Sequence, residues 1–208
     1  MGDVASMMLV GGHPALDFVN TLGGLSDDPN DEYLHDYGDL LAWCVRAGLL
    51  TPSEEGRVRV LAGASSAEAA RVLGRTLELR IAVDRILRHR LAGRHPAVQD
   101  LRLVASAYVE AVDHAELKWG THGVRWGLEA AGSDAAAPLW RLGLRVFDLL
   151  ERAALALLGQ CEHRRWLFLD TSRNHTRRWC SMNGCGGVVK MRRHRARQKG
   201  ELDMRGAE

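Results

Sequence analysis

The sequence predicts a mainly α-helical fold with one small β-hairpin, of the α+β class, in which a helical N-terminal body precedes a small C-terminal module. Three observations support this prediction. Apolar residues recur at helical spacing over most of the first 160 residues, most clearly from Ser66 to Leu91. Between His114 and Glu129, apolar and polar residues alternate across two glycines, which is typical of a hairpin. From Cys161 onward the chain is basic and rich in cysteine.

Local signals predict where the body helices begin and end. Thr51-Pro52-Ser53-Glu54 has the form of a capping box with proline at the first helical position. In the helix from Ser66 to Leu91, the spacing predicts one apolar face that contains Leu73, Leu77, Ile81, Ile86 and Leu87. Further helices are predicted from Pro14, from Asp39, from Pro96 to Val112, and from Pro138 to Leu158, with Gly159 closing the last one.

Composition excludes several classes of protein. Hydrophobic residues make up 46% and charged residues 26% of the chain, which are ordinary values for a globular protein. These values exclude collagen-like, mostly disordered and disulfide-dense proteins. No apolar run reaches the ~18–20 residues that a membrane span needs. The N-terminus lacks the basic region of a signal peptide, so we expect a cytoplasmic protein without a membrane partner. Motifs for phosphate binding, nucleophilic hydrolysis and metalloproteolysis are missing, so we expect no enzymatic activity.

Charge is distributed unevenly along the chain. The whole sequence carries a net charge of +2, but residues 161–199 hold eleven Lys or Arg and two acids, so this stretch carries +9 and the rest −7. An acidic body with a strongly basic end is typical of a regulator that contacts a polyanion. No low-complexity linker separates the two parts, so we expect the basic end to be docked on the body.

Three of the four cysteines lie in the basic end. Cys180 and Cys185 form a Cys-x4-Cys pair, and Cys161 forms a Cys-x-His pair with His163. In a reducing compartment such clustering favours a metal over disulfides, and structural zinc takes four ligands that usually come as two close pairs. A short segment with few core residues also needs such a cross-link. The sequence therefore predicts one structural Zn²⁺ ion held by Cys161, Cys180, Cys185 and a fourth ligand, which is His163 or alternatively His175 or His194.

The sequence around these cysteines resembles a known family. The run from Trp166 to Asn174, the segment from Arg177 to Met182 and the pair Cys185-Gly186 resemble the CGNR-type zinc finger. Segments 16–22, 39–43 and 47–50 resemble the ABATE domain that precedes this finger in stress-induced transcription regulators. The resemblance implies a bacterial DNA-binding regulator with one zinc ion per chain. It also implies an ABATE-like helical domain at 1–160, a treble-like zinc-binding module with a basic helix at 161–200, and a tail at 201–208.

The sequence departs from the family pattern at two places. The Cys-Gly-Asn-Arg motif stands here as Cys185-Gly186-Gly187-Val188, although Lys190 stands where the family keeps a lysine. If the missing arginine contacts nucleic acid, binding is expected to be weaker or redirected. The family has two cysteines just ahead of the Trp-Leu-Phe run, where this chain offers Cys161 and His163.

The basic run after Cys185 is the candidate nucleic-acid surface. If it is helical, Arg192, Arg195 and Lys199 share one face, while Arg193 and Arg197 share the neighbouring one. Arginines on a rigid helix suit phosphate contacts, so DNA is the expected partner. The alternative is a zinc-stabilised module that binds an acidic protein partner without binding DNA. The candidate contacts are Arg177, Arg178, Lys190, Arg192, Arg193, Arg195 and Arg197.

Asp17 and Asn20 are candidates for a small-molecule site in the N-terminal domain. They lie one helical turn apart, so both side chains can face one ligand, and the protein would then be a ligand-gated regulator. The alternative is that they cap a helix or satisfy buried backbone groups. A second copy of the chain is a further candidate partner.

Overall fold

The computed structural model describes residues 2–23, 32–121, 123–128, 134–192 and 195. Two small antiparallel sheets accompany the body helices, and a C-terminal module carries a cysteine cluster, so the predicted fold class is confirmed. Among the described residues, no helix is long and apolar enough to cross a bilayer. The helices are α1 (Pro14–Val19), α2 (Tyr37–Arg46), α3 (Pro52–Gly63), α4 (Ser66–Leu91), α5 (Val98–Asp113) and α6 (Ala137–Glu151). The strands are β1 (Glu116–Gly120), β2 (Gly123–Gly127), β3 (Leu158–Gln160) and β4 (Leu167–Leu169).

Capping side chains begin several of these helices. The Thr51 hydroxyl accepts from the Glu54 backbone N–H, and the Glu54 carboxylate accepts from the Thr51 backbone N–H at 2.7 Å, which is the predicted capping box. Asp36 and Ser65 begin α2 and α4 by accepting one backbone N–H each. Helix α4 has the predicted bounds.

The buried face of α4 matches the predicted one except at Ile81: Ile86 and Leu87 are buried, and Leu73 and Leu77 pack against the core. Ile81 is 39% exposed, whereas the next position back, Arg80, is only 3% exposed. The Arg80 guanidinium donates to the Thr21 hydroxyl at 2.8 Å and to the Glu32 carboxylate at 2.6 Å. A buried guanidinium is tolerated when it is paired in this way, so Arg80 is buried at this turn of the helix and Ile81 is not.

Helices α5 and α6 pack closely against each other. Tyr108 stacks on Phe147 with ring centroids 3.9 Å apart, and His114 stacks on Trp140 at 3.8 Å. Gly143 permits this approach, because a Cβ there would lie 2.7 Å from the Ala107 carbonyl oxygen. This contact buries the apolar face of α6 in the core.

The predicted hairpin is present as strands β1 and β2. Leu117 pairs with Trp126, and Trp119 pairs with Val124, so all four side chains lie on one face. That face is exposed, and Trp119 is 85% exposed. The tryptophans of this hairpin therefore contribute little to the core.

The last helix is shorter than predicted. Helix α6 ends at Glu151, and a 3₁₀ turn (Ala153–Leu157) leads into strand β3, which contains Leu158 and Gly159. The Phe168 ring of β4 occupies the space that a side chain at Gly159 would need, at 2.9 Å from an added Cβ. The prediction failed because a continuous apolar run suits a buried strand as well as a buried helix.

Strand β4 docks the C-terminal module on the body. Leu167 and Phe168 are fully buried, and the Leu169 backbone N–H donates to the Gly11 carbonyl at 2.9 Å. Gly23 lies directly against Trp166, since a side chain at Gly23 would collide with the indole. The module therefore shares one hydrophobic core with the N-terminal helices.

Candidate metal centre and basic surface

Three cysteine side chains converge in the C-terminal module. Cys161 follows β3 directly, and Cys185 lies in a π-helical turn at Met182–Gly186 that begins just after Cys180. All three thiols are buried, and their sulfur atoms lie within 4.8 Å of one another. The Sγ atoms of Cys180 and Cys185 are 3.4 Å apart. The structure thus brings together residues that are up to 24 positions apart in sequence.

Hydrogen bonds make Cys161 the most acidic of the three thiols. Its pKa is lowered to about 5, chiefly because the Cys180 thiol donates to it, with further donation from backbone N–H groups including that of His163. The pKa of Cys180 is raised, first by that same donation and then by burial. Burial also raises the pKa of Cys185. The cluster therefore favours one thiolate, and a cation among the sulfurs would favour ionisation of the other two thiols.

The donor set fits zinc in chemistry and burial. Three soft sulfur ligands lie close enough to share one ion, and backbone N–H groups point at the thiolate, as they do in closed structural zinc sites. Among the described residues, the group comprises the three cysteines without a fourth donor. The identity of the fourth ligand stays a prediction.

The histidines considered as the fourth ligand differ in placement. His163 is half-buried and lies in the loop whose backbone contacts Cys161, although its ring is not part of the sulfur group. The Nδ1 atom of His175 is 2.8 Å from the Asp170 carbonyl oxygen, and its backbone φ is +49°. His194 lies outside the described residues.

Arg177 braces the cysteine segment from inside the module. Its guanidinium donates to the backbone carbonyls of Trp179 and Cys180, and its Cζ lies 4.4 Å from the centroid of the Phe168 ring. The sequence predicts a nucleic-acid contact for Arg177, but in the structure the guanidinium is engaged with the fold. Its role toward nucleic acid stays a prediction.

Other predicted contact residues lie on the surface of the module. Arg178 is exposed and pairs with the Glu162 carboxylate through two bonds of 2.5 and 2.6 Å. Lys190, Arg192 and Arg195 are exposed, and residues 187–192 are helical. Val188, at the position of the family arginine, is 47% exposed on the same helical segment. Arg193 and Arg197 lie outside the described residues.

Asp17 and Asn20 are buried, and their polar atoms are occupied by backbone groups. The Asp17 carboxylate accepts from the Gly11 N–H at 2.8 Å, and the Asn20 amide bonds to both backbone groups of Leu167. Burial raises the pKa of Asp17 to about 6. Both side chains thus satisfy buried backbone groups, which is the alternative to ligand binding that the sequence analysis gave. A ligand role for the pair stays a prediction.

Arg164 is a residue that the sequence analysis did not select. Its Cζ lies 4.8 Å from the centroid of the Trp166 ring, and its charge lowers the pKa of Cys185, opposing the larger effect of burial. The only sequence signal for Arg164 was its position between Cys161 and Trp166. Sequence spacing does not predict the direction in which a long side chain extends. Arg164 adds positive charge beside the sulfurs.

Comparison with protein families gives two matches. Residues 12–160 match the ABATE model, described as "putative stress-induced transcription regulator", and residues 158–198 match the CGNR zinc finger. The fold and the cysteine cluster thus define a zinc-finger protein with a helical N-terminal domain. Because the first match covers more than half of the sequence, the chain belongs to the ABATE family, and the suspected resemblance is confirmed. A search of curated proteins finds no match.

Proposed function

We propose that this protein is a zinc-dependent DNA-binding transcription regulator whose N-terminal domain senses an effector. The observation that carries this proposal is the position of the exposed basic residues Lys190, Arg192 and Arg195, which follow the cysteine turn directly. A binding role suits a cluster of buried sulfurs better than catalysis does, since catalytic zinc keeps an open position accessible to substrate. The family description supports the regulatory role.

One zinc ion would stabilise the conformation of the C-terminal module by cross-linking its cysteine segments. Cys161, Cys180 and Cys185 supply three ligands, and His163 is the best-supported fourth ligand because its loop already contacts Cys161. When bound, zinc supplies a cross-link and the positive charge that lets all three sulfurs ionise. The cross-link holds the turn at Met182–Gly186, from which the basic segment starts.

The basic segment would contact the phosphate backbone. In a helix, Val188, Arg192 and Arg195 lie on one face, at spacings of four and three residues. Phosphate contacts give affinity that falls steeply with salt and does not require a particular sequence. An exposed basic face suits DNA and an acidic protein alike, and the family description as a transcription regulator favours DNA. DNA is therefore the partner that we propose.

The salt dependence of DNA binding tests this proposal. Binding of the zinc-loaded full chain to a fluorescent 30-base-pair duplex is measured by anisotropy over a range of NaCl concentrations. The triple variant Lys190→Gln, Arg192→Gln, Arg195→Gln should lower the slope of log affinity against log salt by about 2, since each phosphate contact contributes roughly 0.9 and Lys190 lies on the side of the helix away from Arg192 and Arg195. The matched control replaces three exposed arginines of the body, Arg57, Arg71 and Arg102, with Gln and should keep the wild-type slope. An unchanged slope in the first variant contradicts the assignment.

A further inference from the structure

A cleft lies between the N-terminal helices and the C-terminal module. Its volume is about 380 Å³, which is in the size range of small-molecule sites. Val19, Leu22 and Ile81 contribute an apolar wall. Ile81 is 39% exposed, so it lies at the edge of the core rather than inside it.

The rest of the lining is mainly basic. It consists of His89 and five arginines, with Asp84 as the one acid in the described lining; the arginines are Arg80, Arg85, Arg88, Arg94 and Arg165. Three of these guanidiniums are paired with carboxylates. Arg80 lies 2.6 Å from Glu32, Arg85 lies 3.5 Å from Asp100, and Arg88 lies 2.8 Å from Asp84.

Arg94 and Arg165 are the two arginines of the described lining that are not paired with a carboxylate. Within the described part of the chain, neither forms an ion pair or a side-chain hydrogen bond. His89 also lines the cleft, and its Nδ1 atom is buried without a hydrogen-bond partner among the described residues. The cleft thus combines an apolar wall with two unpaired positive charges and an unsatisfied ring nitrogen.

We propose that this cleft binds a small organic anion with an apolar body and one carboxylate. Guanidiniums bind carboxylates through paired hydrogen bonds, and the apolar wall would bury the rest of the ligand. This inference rests on the effector-sensing part of the proposed function and gives the effector a site and a chemical class. The site is distinct from Asp17 and Asn20, whose polar atoms are already occupied.

The position of the cleft couples the ligand to the cysteine module. Arg165 lies in the loop between Cys161 and β4, so an anion on its guanidinium contacts the chain segment that carries the first sulfur ligand. Arg88 already bridges the two parts, since it donates to the Gln160 side chain at 3.1 Å and to the Arg165 carbonyl at 3.0 Å. A ligand held between these groups would change the affinity of the module for DNA, and DNA would change the affinity for the ligand by the same factor.

Calorimetric titration of the full chain with octanoate tests the proposal without DNA. Octanoate should bind at one site per chain, and octanamide, which has the same apolar body without the charge, should bind at least about tenfold more weakly. The double variant Arg94→Gln, Arg165→Gln should also weaken octanoate binding at least tenfold. The double variant Arg57→Gln, Arg102→Gln removes the same charge outside the cleft and should bind like the wild type.

Four results would overturn the proposal: no octanoate binding to the wild type, octanamide binding as tightly as octanoate, equal octanoate binding by the Arg94/Arg165 variant, or inorganic phosphate binding as tightly as octanoate. The last result would mean that the apolar wall contributes nothing. Because the titration contains no DNA, its failure is separate from a failure of DNA binding. Helix content and melting temperature of each variant show whether a loss of binding reflects a loss of fold.

Discussion

The side-chain amide of Asn20 forms two hydrogen bonds with the backbone of Leu167, although the two residues are 147 positions apart. The Asn20 Nδ2 donates to the Leu167 carbonyl at 2.8 Å, and the Leu167 N–H donates to the Asn20 Oδ1 at 2.7 Å. Both residues are buried. The amide therefore acts as an additional strand partner for β4 and joins helix α1 to the zinc-finger module.

Asn20→Ala should lower the free energy of unfolding by about 2 to 4 kcal/mol, because it leaves a buried N–H and a buried carbonyl without partners. The measurement is chemical denaturation of the full chain. Asn174→Ala serves as the control, since Asn174 is exposed in the same module and should change stability by no more than about 0.5 kcal/mol. Equal effects of the two variants would show that the Asn20 bonds do not hold the module.

Asp17→Asn should remove part of the pH dependence of stability. Burial raises the pKa of Asp17 from 3.8 to about 6, so the folded state disfavours the carboxylate relative to the unfolded state. This destabilisation is absent below pH 4 and complete above pH 6. The stability of Asp17→Asn relative to the wild type should therefore rise between pH 4 and pH 7, by up to about 3 kcal/mol.

Denaturation curves across this pH range give that difference directly. Other carboxylates cancel in the comparison because both proteins contain them. Asp113→Asn, which removes an exposed carboxylate, controls for the change in net charge. A difference between Asp17→Asn and wild type that is constant with pH would contradict the buried-carboxylate account.

The sequence predicted those helices whose signals are local. Helix α4 has the predicted bounds because its cap and its apolar spacing lie within the helix itself, and the Thr51 capping box formed as predicted. On the predicted apolar face of α4 only Ile81 was placed wrongly, because Arg80 is buried at that turn and its partner, Glu32, lies in a distant segment. The end of α6 was predicted wrongly because the strand partner of Leu158 is Leu169, which no local pattern indicates.

The metal-binding cysteines of the candidate site were predictable from the sequence, but the directions of the surrounding side chains were not. Cysteine spacing identified the three sulfurs that the fold brings together. Side-chain direction was not predictable, so Arg177 was grouped with the surface arginines although it donates to the carbonyls of Trp179 and Cys180. The cleft around Arg165 was missed because its walls come from helices α1 and α4 and from the cysteine loop, which are far apart in sequence.

His163→Ala should weaken zinc binding at least about tenfold, whereas His175→Ala should leave it unchanged. His163 lies in the loop that contacts Cys161, while the His175 ring is held at the Asp170 carbonyl. Competition with a coloured zinc chelator gives both affinities. Equal affinities of the two variants would place the fourth ligand elsewhere.

Val188→Arg should tighten DNA binding and increase the salt slope by about 0.9, because it adds one positive charge to the face of Arg192 and Arg195. Val60→Arg is the matched control, since Val60 is 74% exposed on helix α3 of the body. Anisotropy with the same duplex supplies the comparison. If Val188→Arg binds DNA no more tightly than Val60→Arg, the finger does not read DNA through this face, and an acidic protein partner becomes the better proposal.

The most direct test of the account is the zinc content of the purified protein, expressed without added metal and measured by elemental mass spectrometry. We expect about one zinc ion per chain, none in Cys180→Ala, and about one in Cys44→Ala, because Cys44 is buried outside the sulfur cluster. Release of zinc from the wild type by a mercurial thiol reagent gives a second readout that does not depend on how a variant folds. A wild type without zinc, or a Cys180→Ala variant that keeps it, would contradict the zinc-centred account.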